Sequence, residues 1–278
     1  MRLNLLLIAL VLLSACGVKN KNKAVDSKKG PDVVIACEEW SENKAFSLFT
    51  KKFLESKGYS VKILMTSDGM LALNKNKAQV FLEKWSTSDL SRNEDDILEH
   101  IGDIYKGGRL GLIVPKYFSA TSIDELNDYH EDLGGVIYSI DTSSEGFVGA
   151  NVAKKRYQLD FKVNTMTEKE LLVLFEDLYS HRKPFCLTGW FPHPMLNEKY
   201  LTILEDPKHA YGSTYNLEKY CRKDWKSENK ELANLISKIT FSKSEFDVLV
   251  KMMGDYDWDL TAATEAWYKE LEPNFLKK

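Results

Sequence analysis

The sequence predicts an α/β fold with a mostly parallel sheet. Two observations carry this. Short β-branched apolar runs alternate with segments of helical period through the first half of the chain. The composition, 44% hydrophobic and 12% aromatic, is rich enough for a substantial core. At 278 residues the chain holds one large domain or two modest ones.

The elements follow in order. Residues 32–36 (DVVIA) read as a buried strand. Residues 43–56 place Ala45, Phe46, Phe49, Phe53 and Leu54 at helical spacing, and Gly58 stops that helix. Residues 61–65 are the next strand, 71–75 a short helix and 78–85 (AQVFLEKW) a third strand. Residues 109–114 (RLGLIV) form a strand ending at Pro115. Residues 122–129 are expected to be a helix, with Ser122 and Glu125 as a capping box. A strand at 136–140 and a helix at 146–157 come next. Thr167 caps a stronger helix to residue 180, with Glu168 and Glu170 in its first turn and Leu171, Leu172, Leu174, Phe175 and Leu178 on its apolar face. Residues 184–188 (PFCLT) are a strand leading into Gly189-Trp190. Beyond Tyr215 the chain reads as helical, over 229–239, 244–253 and 261–271.

The N-terminus has the order of an export signal. Arg2 supplies one charge, residues 3–13 are almost wholly apolar, and Ser14-Ala15 precede Cys16. The run is shorter than the ~20 residues of a spanning helix. The stretch resembles a bacterial lipobox. That resemblance implies a signal peptide over 1–15, lipid on Cys16, and a protein held at the cell envelope, periplasmic or on the outer face, by acyl chains alone. Residues 16–31 are rich in Lys, Asn and Ser and read as a flexible tether.

The net charge of −3, with both signs interspersed, gives no basic face for nucleic acid. Cys37, Cys186 and Cys221 are widely spaced and lack a C-x-x-C. They read as small buried residues in preference to a disulfide, and a zinc or redox motif is not expected. There is no Gly-x-Ser-x-Gly, no His-Glu-x-x-His and no cluster of metal ligands, so no metal, cofactor or catalytic centre is expected. A hydrolase built on His193 or His209 with Glu145 is the weak enzymatic alternative.

An exported, tethered α/β chain of this length fits two lobes that share segments and close by hinge motion. The expected division is 32–114 plus 212–278 in lobe 1 and 115–211 in lobe 2. Trp40, Trp85 and Trp190 each stand just after an expected strand, where α/β sheets place ligands. Three indole faces can enclose a cation that lacks N–H donors, above all a quaternary ammonium. Trp267, at helical spacing, reads as core.

Several stretches then match a family in order: Glu39-Trp40-Ser41; residues 57–61 (KGYSV); 80–85 (VFLEKW); 111–117 (GLIVPKY); 139–141 (SID) with Glu145-Gly146; 189–193 (GWFPH); and 204–208 (LEDPK). They resemble the glycine betaine/choline-binding proteins of ABC-type osmoprotectant and choline importers. The resemblance implies a two-lobed periplasmic-binding-protein fold of type II with the ligand in the cleft. It implies an aromatic cage of Trp40, Trp85 and Trp190, and polar groups near Trp40 and in the loop after Asp141, including Ser144 and Glu145. Glu42 matches an acidic residue that accepts a ligand hydroxyl, and His193 a donor to a ligand carboxylate. An ABC permease and its ATPase are the implied partners. Three departures stand out: Pro194 in place of an aromatic, Thr142-Ser143-Ser144-Glu145-Gly146 in place of a Pro-Gly-x-Gly loop, and Leu110 where choline-specific relatives carry Tyr. The acidic loop keeps another zwitterionic solute open as the ligand.

Overall fold

A computed structural model describes residues 30–87, 96–140, 145–194, 196–212 and 214–275, without the side chains of 87, 145–147 and 274. The chain divides into two units, Met1–Gly30 and Pro31–Lys278. Every described strand and helix belongs to the second unit. Cys16, the expected lipid site, and Ser144 lie outside the described residues.

The opening grammar is as expected. Strand β1 (Val33–Cys37) leads into α1 (Ser41–Ser56), then β2 (Val61–Met65), α2 (Gly69–Asn74) and β3 (Val80–Thr87). Helix α1 buries Ala45, Phe46, Phe49 and Phe53. Each buried Phe contributes about 1.5–3 kcal/mol. Strand β4 (Leu98–Pro115) is 18 residues long, far longer than the expected 109–114. After it come a 3-10 helix (Ile123–Tyr129), β5 (Val136–Ile140), α3 (Glu145–Tyr157), β6 (Lys162–Met166) and α4 (Glu168–Ser180). The Ser122 and Thr167 capping boxes both form, the former on a 3-10 turn. Strands β7 (Cys186–Phe191), β8 (Leu201–Ile203) and β9 (Tyr215–Arg222) precede α5 (Lys223–Glu228), α6 (Lys230–Lys238), α7 (Lys243–Asp255) and α8 (Leu260–Phe275).

The sheet order is β2-β1-β3-β9-β4-β7-β5-β6, with β8 beside β4. This corrects the expectation of a mostly parallel sheet. β1 pairs parallel with β2 and β3, and β5 with β6 and β7. β9 and β4 run antiparallel to their neighbours. A second correction concerns β9: the chain beyond Tyr215 is a central strand before it becomes helical.

β4 joins two groups of strands. Its first part, Leu98 to Gly108, pairs with β9; its second, Arg109 to Pro115, pairs with β7 and β8. The cores divide in the same way. One packs α1, α7 and α8 around Phe46, Phe241 and Trp267, the last fully buried as expected. Others gather Leu112, Ile137 and Tyr157, and Ile113, Leu187 and Trp190, on the far part of β4. Cys37, Cys186 and Cys221 are buried free thiols, as their spacing implied. Burial pushes the Cys37 thiol up to about 11. Among the described residues, no helix is long and apolar enough to cross a membrane.

Candidate functional site

A cavity of about 520 Å³ opens where the two strand groups meet. Trp40, Trp85, Trp190 and Glu42, all anticipated, line it together. Trp40 follows the end of β1, as expected. Trp85 lies within β3, at the end of the expected strand, and Trp190 lies within β7, which runs on past its expected end at 188. Trp40 and Trp190 meet edge to face, 6.1 Å between centroids at 80°. Trp85 lies against Gly108 of β4, where an added Cβ would come within 3.0 Å of the indole. Met70, Phe81, Leu110 and Ile140 complete the apolar lining.

Each of these three indoles donates its Nε1–H to a carboxylate. Trp40 donates to Glu38 Oε2 at 3.1 Å, Trp85 to Glu83 Oε1 at 2.9 Å, and Trp190 to Glu42 Oε1 at 2.6 Å. Glu38 also accepts from the backbone N–H of Gly69 at 2.8 Å, which ties the start of α2 to Trp40. Glu42 and Glu83 are 2% and 4% exposed, and the Oε2 of each lacks a hydrogen-bond partner. Burial raises all three carboxyls. Glu83 is pushed up to about 8, and Glu42 lies well above the ordinary range because the charges of Glu83 and Glu168 add to its burial. Two buried carboxyls side by side cannot both ionise cheaply, so the pair retains a proton.

His193 stands behind this cavity, not in its lining. It is 1% exposed and packs edge-on against Trp190, 4.7 Å between centroids. Its Nδ1 accepts from the Leu196 N–H at 2.9 Å, so Nε2 carries the proton and donates to Glu168 Oε1 at 3.0 Å. Both ring nitrogens are therefore engaged within the protein. Glu168 also accepts from the Ser41 N–H at 3.3 Å. Burial opposes its ionisation, but the His193 and Ser41 bonds outweigh it and hold the carboxyl below the usual range. Glu145 is the first residue of α3, and its side chain lies outside what is described.

Sequence reasoning missed Glu38, Glu83 and Glu168. The first two carried a signal: Glu-x-Trp occurs at 38–40 and again at 83–85. In β3, residues two apart face the same side, which sets Glu83 beside Trp85; Glu38 and Trp40 lie between β1 and α1. Glu168 has no such signal, since its partners lie 127 and 25 residues away. Among the described residues, Glu42, Glu168 and His193, and separately His100, Asp103 and Glu218, bring cation-ligating atoms within 4.8 Å. In the first set Nε2 of His193 already bonds Glu168. In the second His100 Nε2 bonds Asp103 at 3.0 Å.

The chain is similar to several known proteins. A glycine betaine/carnitine transport binding protein, GbuC of Listeria monocytogenes serotype 1/2a (strain 10403S), is 24% identical over 149 residues, 52% of this chain and 49% of that protein. The match thus spans about half of the relative's length. Solved structures are alike over more of the chain. Lactococcal OpuAC, closed and complexed with glycine betaine, has a TM-score of 0.75 at 20% identity, covering 88% of this chain and 98% of that one. ProX from Borrelia burgdorferi gives 0.73 at 18%, covering 87% and 93%. A choline-binding protein of an ABC transporter in complex with choline gives 0.71 at 20%, covering 87% and 90%. The fold is that of the two-lobed periplasmic binding proteins with a ligand cleft. The substrate binding domain of ABC-type glycine betaine transport systems is matched over residues 31–270, and the chain belongs to that family.

Proposed function

We propose that this protein captures a quaternary ammonium solute of the glycine betaine/choline type and presents it to an ABC importer. The observation that carries this reading is the convergence of Trp40, Trp85 and Trp190 on one cavity. A trimethylammonium group has no N–H to donate, so π-faces suit it better than a ring of hydrogen-bond acceptors. Each face contributes roughly 0.5–2 kcal/mol, so three supply up to about 6 kcal/mol of the ~8 kcal/mol that micromolar binding needs. Glu38, Glu42 and Glu83 also line the cavity, and each of them that is ionised adds a negative field that favours a cation.

The lobes of this reading are 32–114 with 212–278 and 115–211, although residues 110–114 of β4 pack with the cores of the second. Trp40, Trp85 and Glu42 come from the first lobe and Trp190 from the second, so the cage is complete only when the lobes meet. His193 acts as a positioning residue for Trp190 rather than as a ligand donor. Capture and release make and break no covalent bond. An extracytoplasmic position, lipid on Cys16, and a permease with its ATPase as partners go with this reading.

Tryptophan fluorescence during titration with choline, glycine betaine and carnitine tests it. A saturable change with at least one of them is expected. No change with any would turn the search to other zwitterionic solutes.

A further inference from the structure

Every indole that lines the cavity has its N–H on a carboxylate, and that arrangement has an electronic consequence. Hydrogen bonding of an indole N–H to an anion pushes electron density into the ring. The face of the ring then attracts a cation more strongly, while its attraction for an uncharged group of the same shape is little changed. The pattern is built from three separate places in the sequence: Glu38 with Trp40, Glu83 with Trp85, and Glu42 with Trp190, 148 residues away. Glu42 and Glu83 are 2% and 4% exposed and face each other as well as the indoles.

Resting on the reading of the cavity as a cation cage, we infer that Glu38, Glu42 and Glu83 set its charge selectivity through the tryptophans: each carboxylate enriches one wall toward a positive ligand. They are positioning and tuning residues, and the rings make the contact.

The groups around the pair decide how this depends on pH. Glu38, Asp68 and Lys84 line the same cavity. Asn43 of α1 faces Glu83, and Glu168 of α4, itself held by His193, faces Glu42. Only Lys84 among these carries a fixed positive charge. The Glu42–Glu83 pair therefore holds a proton until a cation, or rising pH, removes it. Selectivity for a cation should grow as that proton leaves.

The test uses two ligand pairs that differ only in nitrogen against carbon: choline with 3,3-dimethylbutan-1-ol, and glycine betaine with 3,3-dimethylbutanoate. Dissociation constants are measured by calorimetry for the full chain, Glu83→Gln, Glu38→Gln, Trp85→Phe and the double variant Glu83→Gln with Trp85→Phe. Glutamine keeps an oxygen for the indole N–H and removes the charge. At pH 9, above the value to which burial pushes the Glu83 carboxyl, preference for the ammonium-bearing member of each pair should fall roughly three- to tenfold in Glu83→Gln, while the constant for 3,3-dimethylbutan-1-ol stays within about twofold. In the Trp85→Phe background, which has no N–H, Glu83→Gln should have no further effect. The preference should rise between pH 6 and 9 in the parent chain and stay flat in Glu83→Gln, a window set by the carboxyl pushed up to about 8. Equal loss of both members would mark a structural role and overturn the inference. So would an equal effect of Glu83→Gln with and without Trp85, since the carboxylate would then act on the ligand directly. An unchanged preference in both glutamine variants overturns it too. If the parent chain binds no member of either pair, the cage reading itself fails, which is a different result.

Discussion

At the residue scale, buried polar groups behind the tryptophans do the positioning. His193 bridges the Leu196 N–H and Glu168, so His193→Ala leaves both without that partner. Unfolding in urea should show a loss of roughly 1–3 kcal/mol. A loss within about 0.5 kcal/mol, the range of an ordinary surface change, would contradict the bridging role. Glu83 makes a pH prediction of definite sign. Its carboxyl is raised from 4.5 to about 8, so the folded state binds a proton more tightly than the unfolded chain. Stability of the ligand-free protein is then greatest below about pH 5 for this group and falls as pH rises toward 8. Glu83→Gln should flatten that slope in urea midpoints measured across the window; an equal slope in the variant would exclude Glu83 as its source. Trp40, Trp85 and Trp190 were legible because indoles near strand ends announce a ligand, and Glu42 only through the family resemblance. Glu168 was not, because its first-turn position in α4 explains an acid equally well without any site.

At the element scale, β9 was the main surprise. Its sequence, YNLEKYCR, places Glu218 and Lys219 side by side, both buried, and so shows no alternation of apolar and polar residues. What makes it a strand is long-range. β3 and β4 flank it, and Ser86 and Tyr220 both donate to Glu218 at 2.9 Å. Lys219 Nζ donates to the carbonyls of Ile236 at 3.0 Å and Ser237 at 2.9 Å, and to that of Ile239, at the C-terminal end of α6. The last carbonyls of a helix lack their usual intrahelical donor; here that of Ile236 also accepts from the Ile239 N–H at 3.1 Å. Lys219→Met should therefore lower unfolding stability by roughly 1–3 kcal/mol with ligand affinity nearly unchanged. A gain in stability would show that burying the charge costs more than the carbonyls recover. In α3 two effects oppose each other at Gly149. Alanine favours a helix by about 1 kcal/mol, but its Cβ would come within 2.2 Å of the buried Tyr211 ring. Overpacking of this kind costs about 1–3 kcal/mol, so Gly149→Ala should lower the melting temperature. A raised one would mean that Tyr211 yields freely. The helices with capping boxes were legible from local signals alone, while β9, β6 and the full length of β4 depend on partners distant in sequence.

At the scale of the whole molecule, the two strand groups touch through the site itself. Trp190 donates to Glu42, Trp40 packs on Trp190, and Glu168 accepts from the Ser41 N–H. On another face of the junction, Glu198 takes both Arg109 and Lys243. A ligand held by the indoles would add to these contacts and favour the closed arrangement of the lobes. The α/β class and the two-lobed plan were readable from strand–helix alternation and the matching stretches. The mixed direction of the sheet was not, because it follows from where β4 and β9 return. The indoles as the binding surface underlie the whole functional reading. Calorimetric titration of the parent chain, Trp85→Ala and Trp190→Ala with choline and glycine betaine is its sharpest test. Saturable binding to the parent chain is expected, with a loss of at least ~1–2 kcal/mol in each variant, about five- to thirtyfold in dissociation constant. Unchanged constants in both variants would show that the indoles do not hold the ligand.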